Sequence, residues 1–247
     1  MRRVLIFFGV LLATASCATA SAAGTWAISA KQPCTGLTAG FARPLADLGD
    51  LVGPHWQPSH GPVNDQGLVL LFITSCPNST YAGKSSGAFS AAFVLVPVTQ
   101  LEPAGKQTHA IAGLQAAGPS AGAVMNLFRR HGIHVMDAQV SLAIRDAGRS
   151  KHAEAVIRTA QGTLTLDADL QPITQAHKST ETVAVRVTPA GVLFKGPESS
   201  TRYTKGTVQA QSSGQTWLQR FQLGKPLFVT LDTDFIWNFD FTQMPHG

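Results

Sequence analysis

Leu68-Val-Leu-Leu-Phe-Ile-Thr74 is an unbroken apolar run rich in β-branched and aromatic residues, the composition of a strand buried on both faces. Ala88 to Val98 reads the same way and is expected to stop at Pro97 and the polar residues beyond it. Further along, the strand period of two becomes explicit. Thr163-Leu-Thr-Leu-Asp-Ala-Asp-Leu170 alternates cleanly, as do Val183-Ala-Val-Arg-Val187 and Thr207-Val-Gln-Ala-Gln211. Near the end Phe235, Trp237, Phe239 and Phe241 recur at every second position. Alternate strand residues share a face, so a final strand is expected with these rings on one side. Asp232, Asp234 and Asp240 then fall on the other side.

Two segments depart from this period. Leu45, Leu48 and Leu51 have helical spacing, with Pro44 suited to the first turn and Gly53-Pro54 to the stop. In the second, Ser120 can cap the free amides, and Ala121, Val124, Met125 and Phe128 make an apolar stripe that ends at Gly132. Arg129 and Arg130 then sit in the last turn, where positive charge complements the helix dipole. Strands dominate, without β–α alternation or an internal repeat. The pattern predicts a mainly β fold: one curved or closed antiparallel β-barrel or cone with one short and one medium helix.

Arg2 and Arg3, the apolar run Val4 to Ala13 and the small residues after it have the layout of a secretory signal. Ala18-Thr19-Ala20 and Ala20-Ser21-Ala22 offer cleavage sites, so residues 1–23 are expected to be a signal peptide and 24–247 the single domain. The apolar run is short for a spanning helix, which needs about 20 residues. A secreted or periplasmic location follows, with lipid anchoring through Cys17 as the alternative. Two of the +5 formal charges sit in the leader, leaving +3 with scattered lysines. Nucleic-acid binders instead cluster their basic residues, so no nucleic-acid partner is expected. Cys34 and Cys76 remain after cleavage, and an even pair in an exported chain points to a disulfide.

Gly118-Pro-Ser-Ala-Gly122 matches the nucleophile-elbow pattern. That elbow belongs to a chain of strand–helix units, which is lacking here, so Ser120 reads as a helix cap. His131 and His134 straddle a helix end and Gly132, with Asp137 nearby but no convincing third ligand. No metal and no cofactor is expected. His55 and His60 flank Trp56 in a stretch rich in Pro and Gly, either an ordered surface loop or a lid. Asn78-Ser79-Thr80 is a glycan acceptor only in a glycosylating host.

The order of features resembles the acetoacetate decarboxylase-like superfamily. Leu45-Ala-Asp-Leu-Gly-Asp-Leu51 followed by Gly53-Pro-His-Trp-Gln-Pro58 is similar to the stretch preceding the barrel there. Ala91-Ala-Phe-Val-Leu-Val-Pro-Val98 resembles that family's strand ending in Val-Pro-Val. A strand near His109 to Leu114, the Ser120 helix, the turn Arg130-His-Gly-Ile133 and strands leading to Phe239-Asp-Phe241 complete the likeness. The resemblance implies a β-rich cone around a cavity. Family decarboxylases form a Schiff base through a lysine of lowered pKa, in a Gly-x-Pro-Lys-type segment after the helix. Here that segment is Gly132-Ile-His-Val-Met-Asp137, without a lysine, and Ala91 stands where an acidic residue is expected. Lys84 and Lys106, the nearest basic residues, read as solvated loop ends.

Two functional expectations follow. One is an exported, non-enzymatic barrel holding a small apolar or weakly polar ligand among aromatic and aliphatic side chains. The other is an enzyme using His134, Asp137, His109 and Arg158 as its polar groups. The oligomeric state is not legible in the sequence.

Overall fold

The computed structural model describes residues 28–30, 32–52, 56–61, 65–81, 84–100, 107–118, 121–130, 133–172, 182–187, 190–195, 201–235 and 238–240. The chain begins with β1 (Ile28–Ala30), β2 (Cys34–Pro44), α1 (Leu45–Val52) and β3 (Trp56–Pro58). The two apolar runs become β4 (Gln66–Tyr81) and β5 (Lys84–Gln100), followed by β6 (Gln107–Ala117) and α2 (Ala121–Arg130). Next come β7 (Val135–Asp137), β8 (Gln139–Ala147), β9 (Ser150–Arg158) and β10 (Gly162–Pro172). The last part holds β11 (Thr182–Val187), β12 (Ala190–Lys195), β13 (Thr201–Gly214), α3 (Trp217–Arg220), β14 (Phe228–Phe235) and β15 (Asn238–Asp240).

All strands among the described residues belong to one sheet. β8, β9, β10, β13, β14, β2 and β4 are successive neighbours, and β4 hands the sheet on to β5 and β6. β8 returns against β5 and β6, so the sheet is nearly closed into a barrel. The mainly β barrel expected from the sequence is thus the fold. One pairing departs from the antiparallel expectation: β6 and β7 run parallel, with Leu114 opposite Val135 and Ala116 opposite Asp137. Parallel neighbours need a crossover, and α2 supplies it.

β5 explains why its sequence shows no alternation. Ala92, Val94, Val96 and Val98 point inward to Leu37, Ala39, Leu71 and Ile73. Phe89, Ala91 and Phe93 point outward, beneath Val124, Met125 and Phe128 of α2. The Phe93 and Phe128 rings lie 6.1 Å apart, and burying each such side chain is worth about 1.5–3 kcal/mol. Beside this cluster Cys34 and Cys76 form a disulfide, their Cα atoms 4.3 Å apart. The register places them directly opposite across β2 and β4, one step beyond Thr35 and Ser75.

Other sequence expectations are corrected. β5 continues through Pro97 to Gln100; Pro97 falls where one edge of β5 changes partner from β4 to β3, so its missing N–H interrupts no continuous ladder on that edge. Lys84 opens β5, exposed, rather than ending a loop. Trp56 is neither loop nor lid: it pairs in β3 opposite Gln100 and is buried in the core. A third helix, α3, interrupts the strands, held by the Thr216–Gln219 capping box. The expected final strand is seen as β14 and β15; within β14, Asp234 takes a left-handed φ of 61° and the register with β2 shifts between Asp232 and Phe235. Trp237 and Phe241, the Ser120 cap, His55, His131, Lys106 and residues 1–23 lie outside the described residues.

Candidate functional site

The register traces one continuous row around the barrel wall. Tyr203 lies opposite Leu231, Leu231 opposite Leu37, and Leu37 opposite Ile73. Ile73 then meets Ala92, Ala92 meets Gln115, and Gln115 meets Met136. Leu231, Leu37, Ile73 and Ala92 are buried in the interior cluster, and Met136 packs against it. Gln115 is the polar member, only 2% exposed. Its amide nitrogen donates to the Met136 thioether at 3.8 Å, a weak acceptor for so deeply buried a donor.

One layer along, Val229, Ala39, Leu71, Val94 and Gly113 form the adjoining row. Gly113 faces α3. A Cβ on it would stand 3.5 Å from the Trp217 ring, ordinary contact distance, so a methyl fits between β6 and the indole while a larger side chain would not. Trp217 is 1% exposed and its Nε1 has no hydrogen-bond partner. A buried, unsatisfied N–H costs about 1–3 kcal/mol. The Gln115 amide and the Trp217 N–H are therefore two polar groups in an apolar interior, each poorly satisfied.

α3 carries the site from the interior to the surface. Its Trp217 reaches inward, while Arg220 reaches over β7, where its Nη1 contacts the Met136 sulfur at 4.0 Å and bonds to His134 Nε2. An arginine can only donate, so His134 accepts in its neutral form. Burial first, and then the Arg220 charge, hold the His134 pKa below the usual imidazole value. Gln115, Met136, Arg220 and His134 thus form a polar path from barrel wall to solvent.

The other residues singled out in the sequence are arranged differently. Asp137 is 90% exposed and pairs with Arg129 of α2 at 3.5 Å. Arg158 is exposed at the end of β9, opposite Gln139 and Thr163. His109 lies on β6 opposite Pro97. No hydrogen bond or ion pair joins His134, Asp137 and Arg158 to one another among the described residues. Ala91, read from the sequence as the place of a missing acid, faces α2; the interior position of that strand is Ala92. Among the described residues no three His, Cys, Asp or Glu side chains gather as metal ligands, and no helix is long and apolar enough to cross a membrane.

No family model matches the chain, and no curated protein matches it in sequence. Solved structures do match. An acetoacetate decarboxylase-like enzyme from Sphingomonas wittichii RW1 superposes with a TM-score of 0.61 at 12% identity, covering 87% of this chain and 91% of that one. Acetoacetate decarboxylase from Legionella pneumophila gives 0.61 at 11% identity, over 88% of this chain and 86% of that one. This chain has the acetoacetate decarboxylase-like fold. A third match is the enduracididine biosynthesis enzyme MppR complexed with pyruvate, at a TM-score of 0.60 and 11% identity, covering 89% and 90% of the two chains. Identity this low carries the fold and not the chemistry.

Within this decarboxylase-like barrel, the segment where the resemblance would place a lysine contains β7, and Met136 is its interior-packed residue. Among the lysines whose side chains are described, Lys84 and Lys225 are exposed. Lys151 is bonded to Asp146, which raises its pKa. Sequence reasoning missed Gln115, Trp217 and Arg220. A signal for the last two was present, since Thr216-x-x-Gln219 is a capping-box pattern just ahead of Trp217 and Leu218. Gln115 carried none, because a single polar residue in an apolar strand does not declare which face it takes.

Proposed function

We propose that this chain is an exported barrel that binds a small apolar or weakly polar molecule and lacks Schiff-base decarboxylase activity. The supporting observation is the row Leu231, Leu37, Ile73, Ala92, Gln115 and Met136, a wall with one amide and no amine. Apolar walls with a few placed polar groups are the general form of small-molecule sites. In this reading the packed row, in which Leu37, Ile73, Ala92 and Leu231 expose no surface, parts to admit a ligand that accepts from the Gln115 amide or the Trp217 indole. The leader-like residues 1–23 support delivery outside the cytoplasm. The test is native mass spectrometry of the purified mature chain, with organic extraction of what it carries. A discrete small molecule that Gln115→Leu fails to retain supports the reading. A borohydride-trapped acetoacetate adduct on one lysine refutes it.

The second reading, an enzyme, rests on the His134–Arg220 contact. A neutral imidazole beside a guanidinium offers a base next to an anion-binding group. Turnover of short keto acids that His134→Gln abolishes, with Gln115→Leu leaving it measurable, would favour this reading over simple binding.

A further inference from the structure

A second site lies outside the barrel interior, where the sheet splits. β13 pairs with β14 only from Thr201 to Tyr203; beyond that, β14 continues along β2 alone, with Phe228 opposite Gly40. The parting has a local cause. The β10–β13 register shifts between Asp169 and Gln171, and a Cβ on Gly206 would fall 1.5 Å from the Asp169 carbonyl oxygen. Such a bulge bends its strand and increases the twist. Thr204 Oγ1 still reaches the Val229 carbonyl at 3.4 Å, and then the strands separate.

From Thr207 to Ser213, β13 is paired with β10 along one edge, and among the described residues no strand pairs with its other edge. Every second backbone N–H and C=O along that edge is turned away from β10. The edge borders a groove of about 790 Å³ whose far wall is α3 and the segment after it, including Leu223, Gly224, Lys225 and Pro226. At a rise of about 3.3 Å per residue, the seven positions from Thr207 to Ser213 offer roughly 20 Å of open edge. Lys225 is the one charged residue in the lining, and no aromatic ring lines the groove. Leu227 (49% exposed) and Phe228 (36% exposed) follow directly after Pro226.

We propose that this groove binds an extended peptide segment of another protein, added as a strand to the free edge of β13. Main-chain pairing supplies the affinity and side-chain contacts the selectivity, as in other strand-addition sites. The lining specifies the occupant: a carboxylate meets Lys225, and an apolar residue packs on Val208, Leu218 and Leu223. An oligosaccharide fits less well, because it would find hydroxyl partners but no ring to stack on.

Gly224 allows a clean test. A Cβ built on it meets nothing within 4 Å, so the Gly224→Trp side chain starts without a clash from a residue of the groove lining. Fluorescence anisotropy with the full chain and a labelled Asp-Val-Thr-Val-Thr-Val amide should show saturable binding. Gly224→Trp should weaken it at least about tenfold with unchanged melting temperature, as should N-methylation of alternate peptide amides in one register but not the other. Lys225→Glu should weaken this peptide and strengthen the one with Lys in place of Asp. Interior ligand retention should survive Gly224→Trp, which separates this site from the barrel. Lack of saturation at about 1 mM peptide, a limit near −4 kcal/mol, overturns the proposal. Equal loss from both N-methyl registers, or a glucan oligosaccharide displaced by Gly224→Trp while the peptide is not, overturns it as well.

Discussion

Opening the Cys34–Cys76 bridge is a quantitative test of how the barrel wall is held. The bond spans a sequence separation of 42, closing a loop that contains the rest of β2, α1, β3 and most of β4. Chain-entropy reasoning for a loop of this length gives about 13 cal/mol/K, or about 4 kcal/mol at 25 °C. Against a typical domain stability of about 5–15 kcal/mol, that is a large share. The two sulfurs are also buried with Phe89, Phe93 and α2, so replacing both by alanine adds a packing loss on the order of 1 kcal/mol per side chain. Urea denaturation of oxidised wild type, reduced wild type and the Cys34→Ala/Cys76→Ala variant separates the two contributions. Reduction alone should cost about 4 kcal/mol and raise the m-value, because the uncrosslinked unfolded chain exposes more surface. The double variant should fall about 1–2 kcal/mol lower still. A difference under about 1 kcal/mol between oxidised and reduced protein, or thiol labelling of both cysteines in the native state, would refute the reasoning.

Further outcomes follow from single residues. Gly113→Ala should be close to neutral, because its Cβ makes ordinary contact with Trp217 at 3.5 Å. Gly113→Leu should cost about 1–3 kcal/mol by overpacking and shift the tryptophan emission. Gly118→Ala should destabilise by about 1–3 kcal/mol, since φ is +103° and the new Cβ would lie 2.4 Å from the Ala88 carbonyl oxygen; chemical denaturation reads this. His152 bonds to Asp169 at 2.9 Å, and that bond, followed by the charges of Asp167 and Asp169, raises its pKa. Its stabilisation is therefore complete below about pH 6.5 and is lost as pH rises through the folded value. His134 has the opposite sign: its lowered pKa makes protonation unfavourable, so stability falls as pH drops below about 6.5. Melting curves between pH 5 and 8 should show His152→Asn removing the acid-favouring slope and His134→Gln removing the opposing one.

What could be read from the sequence follows from how many faces each strand buries. β10 shows its inner face directly, with Leu164, Leu166, Ala168 and Leu170 buried and Asp167 and Asp169 exposed, because one side meets solvent and selects polar residues. β5 conceals its faces, because α2 covers the outside and both sides select apolar residues. Strand identity there was legible but orientation was not: the sequence did not show that Ala92 faces the interior and Ala91 faces α2. The irregularity inside β14 was equally hidden: an aspartate tolerates a left-handed φ, so Asp234 accompanies the register shift with β2 without the glycine that would announce it. α3 was hidden for a different reason. A four-residue helix has no room for helical periodicity, and only its cap pattern marks it.

The site was harder still, because it is assembled from contacts distant in sequence. His134 was legible as a candidate, but its partner Arg220 is 86 positions away, and nothing local links them. The same geometry bears on the chemistry that the barrel can perform. A Schiff-base enzyme needs an amine kept unprotonated near neutral pH by burial or a neighbouring cation. Arg220 supplies the cation and the interior supplies the burial, yet the residue beside both is Met136. A thioether has no proton to lose and no lone pair basic enough to attack a carbonyl, though it packs well against an apolar guest. Met136→Lys would place an amine exactly where those two influences converge, and it should titrate below the ordinary lysine value of about 10.4. Heteronuclear NMR of the Lys Nζ shift would measure that. An amine there with an unshifted pKa would show that the interior is wetter than the row from Leu231 to Gln115 implies, and would remove the basis for an apolar ligand.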